Sequence, residues 1–396
     1  MAIKYVNEFD LKGKRVLARF DFNVPLNEKG EITDTTRIDQ TLETINFILD
    51  AEVSKLIMMG HLGRPGGKVN PKYSLEPVAT YLAQKLGREV ILTESAVDCG
   101  LKELLSLKQT KIVLLENLRF HPEEEANDKQ FCSQLAQLGD IYINDAFGTS
   151  HRKHASTYGI TAFFPKTAGG GFLLKRELEA LINITEKPKR PFIALLGGAK
   201  VSDKIKTIER LMTSVDKLLI GGAMAYPFLK AKGYEVGKSL CSDEDVTLAK
   251  KVWAHDVGKK ILVPLDHVEA KNPEEKQARV TLKQNITADF MGLDIGPATV
   301  ELYSTHLKTA KTVFWNGPMG LFEKEPFSVG TFAMAKILAQ TEAYTFVGGG
   351  DSVSAVNKSG LADKFSHIST GGGASLEFIE KGELPGIFAL KFGVQP

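Results

Sequence analysis

Residues 192–204 read F-I-A-L-L-G-G-A-K-V-S-D-K. Five apolar residues run into two glycines, and a helical pattern follows over 203–212. A strand apolar on both faces suits the interior of a parallel sheet, whose two sides are covered by helices. The same unit recurs outward in both directions. Downstream, strands are expected at 217–220, 261–263, 312–315, 345–347 and 365–369. Helices are expected there at 243–255, 299–307, 329–339 and 352–357. Upstream, 14–22, 55–59, 89–92, 112–115 and 141–143 read as strands, and 36–52, 74–86 and 128–138 as helices. Between the two series lies a long amphipathic helix over 172–184, ended by K-P-K-R-P at 187–191, where X-Pro steps disfavour helix. The stretch 287–296 shows no clear period. The fold class is α/β: two units with parallel sheets joined by a helix.

The chain's 396 residues suit two domains. With 43% hydrophobic and 25% charged residues, composition excludes disordered and low-complexity classes. A formal charge of +2 gives no reason to expect nucleic acid or a membrane surface as partner. Cys99, Cys132 and Cys241 are odd in number and far apart, against a disulfide framework or a zinc ribbon. The N-terminus lacks a signal-peptide pattern, and no apolar run approaches a membrane span. A cytoplasmic protein is expected.

Glycine makes up 36 residues, about 9% against a usual share of about 7%. Its positions matter more. Gly197-Gly198-Ala199-Lys200, Gly221-Gly222, Gly317-Pro318-Met319-Gly320, Gly348-Gly349-Gly350-Asp351 and Gly371-Gly372-Gly373-Ala374 all follow expected strands. Ligands of open parallel sheets bind beyond the strands' carboxyl ends, where glycine lets backbone N–H groups approach phosphate. Tight βα turns would explain one such cluster; five point to a nucleotide crevice. It matches no standard loop. Gly233–Ser239 has three residues between its glycines where a P-loop needs four, and no dinucleotide fingerprint or kinase H-R-D is present. Lys200 and Lys204, four apart, are expected on one face of a helix start, where a polyphosphate would offset their repulsion. Asp351 could hold Mg2+ through phosphates, or simply cap its helix.

The first half ends its strands differently. Asp21, Asn23 and Pro25 follow the first strand, and His61, Gly63 and Arg64 the second. Asn117 and Arg119 follow 112–115; Asp145, His151 and Arg152 follow 141–143; Arg37 opens a helix. Four arginines and two histidines at one sheet edge predict an anion site. His151-x-x-His154 suits phosphate contact or structure better than a metal. A nucleotide site and a small-anion site on two linked units suggest phosphoryl transfer with closure. No general base is evident, which suits a carboxylate acceptor, already ionised and in need only of cations.

Eight ordered segments then resemble the phosphoglycerate kinase family over almost the whole length. They are R-V-L-A-R-F-D-F-N-V-P (15–25), G-H-L-G-R-P (60–65), L-L-E-N-L-R-F (114–120), N-D-A-F-G-T (144–149), L-L-G-G-A-K-V-S-D-K (195–204), W-N-G-P-M-G-L-F-E (315–323), G-G-G-D-S (348–352) and T-G-G-G-A-S (370–375). The resemblance implies two Rossmann-like three-layer αβα domains. Residues 1–171 would bind phosphoglycerate, 172–187 form the hinge helix, 188–374 bind nucleotide, and 375–396 return to the first domain. It implies reversible, Mg2+-dependent transfer between 1,3-bisphosphoglycerate/ADP and 3-phosphoglycerate/ATP in glycolysis, by a monomer. Asp21, Asn23, Arg37, His61, Arg64, Arg119 and Arg152 would bind phosphoglycerate. Arg37, Lys200, Lys204, Gly372 and Gly373 would stabilise the transferring group. Gly198, Ala199, Lys200, Lys204, Gly222, Gly292, Asn316, Pro318, Glu323, Gly348, Gly349, Gly350, Asp351 and Ser352 would hold ATP or ADP, with Asp351 on the metal.

Three features depart from the family pattern: Ala223, followed by Tyr226-Pro227; Lys153 beside Arg152; and the extension 391–396. The rival readings are another phosphotransferase acting on a small phosphorylated acid, and a nucleotide-binding module without activity.

Overall fold

The computed structural model describes residues 2–97, 100–107, 109–256 and 259–394. Cys99 and the end of the 391–396 extension lie outside the described residues. The chain divides into two compact units, Met1–Glu179 with Glu383–Pro396, and Ala180–Gly382. The helix Phe172–Thr185 carries the chain from the first to the second.

In the first unit, β1 (Arg15–Phe20), β2 (Lys55–Met59), β3 (Ile91–Leu92), β4 (Ile112–Leu114), β5 (Ile141–Asp145) and β6 (Ala168–Gly170) form one parallel sheet. Its order is β3-β4-β2-β1-β5-β6. Every β1 residue after Arg15 is buried, as is all of β2, because helices pack on both faces. Val16, Ala18 and Phe20 meet Ile45, Ile48 and Leu82 in one core cluster. Burying a large apolar side chain of this kind contributes about 1.5–3 kcal/mol.

The second unit repeats the plan. Its main strands are β7 (Phe192–Leu196), β8 (Lys217–Ile220) and β9 (Ile261–Leu262). A small antiparallel sheet follows, made of β10 (His267–Ala270), β11 (Arg279–Val280) and β12 (Met291–Ile295). The main sheet is completed by β13 (Thr312–Asn316), β14 (Tyr344–Gly348) and β15 (His367–Ile368). The parallel order is β15-β14-β13-β7-β8-β9, and the small sheet runs β11-β10-β12. Trp315 is wholly buried at the end of β13, in a cluster with Met319 and Val356. Winding reverses between β1 and β5 in one unit and between β7 and β13 in the other. Such reversals open a crevice at the strands' carboxyl ends. Both expected sheets are therefore present, each covered by helices.

Several elements differ from the sequence expectation. The helix expected over 36–52 is two, Thr36–Asp39 and Leu42–Asp50. The Thr41 hydroxyl donates to the Ile38 carbonyl at 2.7 Å, the kind of side-chain bond that competes with helix continuation. The helix expected from 74 starts at Glu76; the Ser74 hydroxyl accepts from the Glu76 N–H at 3.2 Å and donates to Glu116 at 2.7 Å. Stretch 287–296 is largely β12. Its period is obscured because it pairs only with the short β10, across a register shift. Helix Ala225–Ala231 was hidden by Pro227 in its first turn, a position that tolerates proline. Among the described residues, no helix is long and apolar enough to cross a membrane. Cys132 and Cys241 are free thiols.

Tyr303 ties a covering helix to the strand ends beside the second crevice. Its buried hydroxyl donates to the carbonyls of Ile220 and Leu262 at 2.6 and 3.2 Å. Tyr303→Phe is expected to destabilise the protein by about 1–3 kcal/mol, since the two carbonyls lose their partner. A lowered thermal midpoint checks this; an unchanged one refutes it.

Candidate active site

The first crevice is built on residues just past the ends of β1 and β2. Asp21 is buried, with its carboxylate 3.4 Å from Arg37 Nη1 and 3.8 Å from His61 Nδ1. Arg37 also donates to the Asn23 carbonyl at 3.0 Å. The Asn23 side chain accepts from the Gly63 N–H at 2.8 Å. Arg119 Nη1 donates to the Gly63 carbonyl at 3.0 Å. Asp21, Asn23, Arg37 and Arg119 are thus one cluster bonded directly or through Gly63, with the His61 ring beside Asp21, drawn from three strand ends and a helix. Arg64, Arg152 and Lys153 are exposed, the last with its ammonium 5.3 Å from the Tyr158 ring centre.

Electrostatics show how closely these cations gather. Burial holds the His61 imidazole well below its ordinary range, and Arg19, Arg119, Arg37 and His154 push it further down. His154 is held down to about 4 by burial, then by Arg119, Arg19, Arg152 and His151. Both rings are therefore neutral at pH 7. Arg119 is itself lowered, first by burial and then by Arg19. An anion bound here would relieve such mutual repulsion. Arg19 lies at the centre of the crevice, fully buried, with Nη2 3.1 Å from His61 Nδ1. With Arg19 donating, the His61 proton sits on Nε2. Sequence reasoning missed Arg19. It sits inside β1, and the signal was a charge in an otherwise apolar strand.

In the second unit, Lys204 Nζ donates to the carbonyls of Gly197 at 2.6 Å and Asn316 at 3.2 Å. These carbonyls end β7 and the neighbouring β13, so the ammonium lies in the crevice between them. Burial lowers Lys204 to about 8, while Asp351 and Asp203 oppose the shift. Lys200 and Lys204 do not share a helix face as expected. The helix begins at Ile205, and the turn before it, held by Asp245 through the Ser202 N–H at 2.8 Å, sends Lys204 back toward the strands. Gly222 has φ +63, and a Cβ on it would stand 2.6 Å from Gly198 N and 2.8 Å from Pro318 O. Asn316 Nδ2 donates to Gly348 O at 2.8 Å, and the Ser352 hydroxyl accepts from the Gly317 N–H.

Beside these turns lies a cavity of about 360 Å³. Gly198, Ala199, Gly222, Gly292, Pro318, Glu323 and Asp351 reach it, with Ala223, Tyr226, Met291, Leu293 and Leu240 as apolar wall. Leu240 carried no sequence signal, since it is an exposed apolar residue in a loop. The structure brings most of the proposed nucleotide residues around this cavity or beside Lys204. Lys200 and Gly373 are exposed outside its lining. Gly349 caps the helix Gly350–Lys358, so Asp351 is in its first turn and not its cap. Gly372 and Gly373 open the helix Gly372–Lys381, where the first backbone N–H groups have no partner within the helix. Asp351 alone does not make a metal cage, but Mg2+ commonly uses one or two carboxylates with substrate phosphates. The exposed carboxylate at the cavity edge fits that requirement.

A family model described as phosphoglycerate kinase matches residues 6–382. The chain belongs to the phosphoglycerate kinase family. It is 50% identical over 395 residues to the phosphoglycerate kinase of Anaeromyxobacter dehalogenans (strain 2CP-C), across 98% of this chain and 99% of that one. It is 49% identical over 392 residues to that of Clostridium perfringens (strain 13 / Type A), across 98% of each. A solved phosphoglycerate kinase from Coxiella burnetii superposes with a TM-score of 0.87 at 38% identity, covering 98% of this chain and 99% of that one. One from Pyrococcus horikoshii OT3 gives 0.83 at 31%, covering 98% of each. The chain is accordingly an enzyme, a kinase whose phosphoryl acceptor is a carboxyl group, and phosphoglycerate kinases serve glycolysis.

The neutral His154 in this kinase has a consequence for stability. Unfolded, the ring takes up a proton near its ordinary value of 6.5; folded, only near 4. Between those values the unfolded chain binds more protons, so stability falls as pH drops from 6.5 toward 4. Replacing His154 with Gln should flatten that fall. Thermal midpoints of both proteins from pH 7 to 4.5 check this, and parallel curves refute it.

Proposed function

We propose that this enzyme transfers a phosphoryl group reversibly between 1,3-bisphosphoglycerate and ADP, giving 3-phosphoglycerate and ATP. The observation that carries the reading is the cationic cluster of the first unit, whose members weaken one another's hold on protons. A bound phosphate or carboxylate would reverse that cost. Asp21, Asn23, Arg37, His61, Arg64, Arg119 and Arg152 bind the phosphoglycerate in this proposal. His61 offers its Nε2 proton, Arg19 orients the ring through Nδ1, and Asp21 orients Arg37.

The nucleotide occupies the second crevice. Its base takes the apolar cavity, and its phosphates take the glycine turns from Gly198 to Ser352. Asp351, together with the phosphates, would hold Mg2+, which would supply neutralising charge there. Lys204 leaves its two carbonyls for the phosphates, and Arg37 serves the transferring group from the acceptor side. Lys200 and the N–H groups of Gly372 and Gly373 add donors. No general base is needed, because the acceptor carboxylate is ionised at neutral pH. In-line transfer demands that both ligands share one water-poor space. The proposal therefore includes a hinge-type closure of the two units.

Purified enzyme with ATP, Mg2+ and 3-phosphoglycerate should oxidise NADH through coupled glyceraldehyde-phosphate dehydrogenase. No turnover by folded protein sinks the reading. Arg37→Ala should lower kcat by about 100-fold or more, in the range for losing a donor to the reacting group, while Mg-ADP affinity stays unchanged. Unchanged kcat removes Arg37 from transfer.

Lys204 gives a pH test. Above about 8 the free lysine is neutral and must regain a proton to serve a polyphosphate. ADP affinity should therefore weaken between pH 7.5 and 9.5. Lys204→Arg, which stays charged, should show a flatter profile by calorimetry. Identical profiles would contradict the assignment.

A further inference from the structure

One carboxylate behind the first crevice lies outside every motif quoted above. Glu124 belongs to the short helix Pro122–Ala126 and is only 1% exposed. Both its oxygens serve one residue. Oε2 accepts from the Ser156 N–H at 2.9 Å, and Oε1 from the Ser156 hydroxyl at 2.6 Å. Its carbonyl also accepts from the Ala155 N–H at 2.8 Å. Three bonds thus fix residues 155 and 156, immediately after the turn bearing Arg152 and His154. His154 Nδ1 stands 4.0 Å from Glu124 Oε1.

The chain of contacts continues inward. Ser156 Oγ accepts from Arg19 Nε at 3.0 Å, and Arg19 reaches His61. Glu124, Ser156, Arg19 and His61 are each at most 3% exposed. Burial pushes the Glu124 carboxyl up, and Arg19, the bonds from Ser156 and Arg119 act against that and favour its charged form, while Arg19 opposes protonation of His61 and His154 and lowers Arg119. A guanidinium removed from water is costly without a counter-charge, and removing that counter-charge is far more damaging than losing a surface pair. Glu123 on the same helix is exposed and shares none of these bonds.

We propose that Glu124 is a positioning residue for the phosphoglycerate site. Through Ser156 it fixes the turn that carries Arg152 and His154, and it supplies the buried counter-charge of Arg19. The anion-receiving donors then stand assembled before the ligand arrives, which is how preorganised sites gain affinity. The inference rests on the phosphoglycerate reading given above. Glu124 touches no ligand; it acts through Ser156 and Arg19.

The test compares the unmodified enzyme with Glu124→Gln, Ser156→Ala, their double variant and Glu123→Gln. Calorimetry gives the Kd for 3-phosphoglycerate, the coupled assay gives both KM values, and thermal unfolding gives the midpoint. Glu124→Gln keeps the shape and loses the charge, so Kd and KM for 3-phosphoglycerate should rise about tenfold, as for a lost hydrogen bond to a charged group. KM for Mg-ATP should not move. Ser156→Ala should raise the same two constants about threefold or more. The double variant should be no worse than Glu124→Gln, because both changes break one link. Glu123→Gln should match the unmodified enzyme.

Lower midpoints with unchanged Kd and KM would make Glu124 merely structural and overturn the proposal. Multiplying effects in the double variant would do the same. If Glu124→Gln does not fold, Ser156→Ala decides alone, and an unchanged Kd overturns the link. An unmodified enzyme that fails to bind 3-phosphoglycerate would overturn the functional reading and this inference with it. Normal binding by that enzyme and by the variants would overturn this inference only.

Discussion

A guanidinium taken wholly out of water is the constraint around which the first unit is arranged. Arg19 stands next to the end of a buried parallel strand, where a charge needs partners on every side. Ser156, the Phe20 carbonyl and His61 provide them. The neighbours cannot all be charged as well, so His61 and His154 are neutral. The result is a surplus of hydrogen-bond donors beside Asp21, with a potential that invites an anion. Strand topology and tautomer follow from one another here.

The second unit meets the opposite demand. Its ligand-facing surface is made of backbone, which has little charge and must approach closely to be useful. The turns after β7, β8 and β13 therefore touch one another, and the lysine between them is held on strand-end carbonyls. A cation that is half desolvated and only lightly bonded exchanges partners readily. The same placement lowers its proton affinity. Apolar residues from the small antiparallel sheet supply the wall that a base or ring would need.

Much of this was legible in the sequence because parallel strands are written as unbroken apolar runs and because their ends carry glycine or arginine. The run 192–196 matched β7 residue for residue. Asp21, Arg37, His61 and Arg119 could be read as a group, since each follows a strand or opens a helix at one sheet edge. What stayed hidden depended on distant partners. The Lys200–Lys204 spacing suggested a helix face, yet Asp245, more than forty positions away, holds the turn open. Thr41 breaks a helix through a single hydroxyl. Strand β12 pairs with a strand too short to impose a pattern, and Leu240 is an exposed residue whose value lies in what it faces.

The contact between the glycine turns also bears on how such a site can change over generations. A methyl group on Gly197 would fall 2.0 Å from the Pro318 carbonyl, and one on Gly317 would fall 2.2 Å from the Gly197 carbonyl. Each turn is therefore the mould of another, and no one of them can accept a side chain while its neighbours stay as they are. New substrate preferences in a descendant enzyme have more room at Ala223 and the exposed Leu240, which border the same space. The glycine end is inherited whole, while the other end is open to trial.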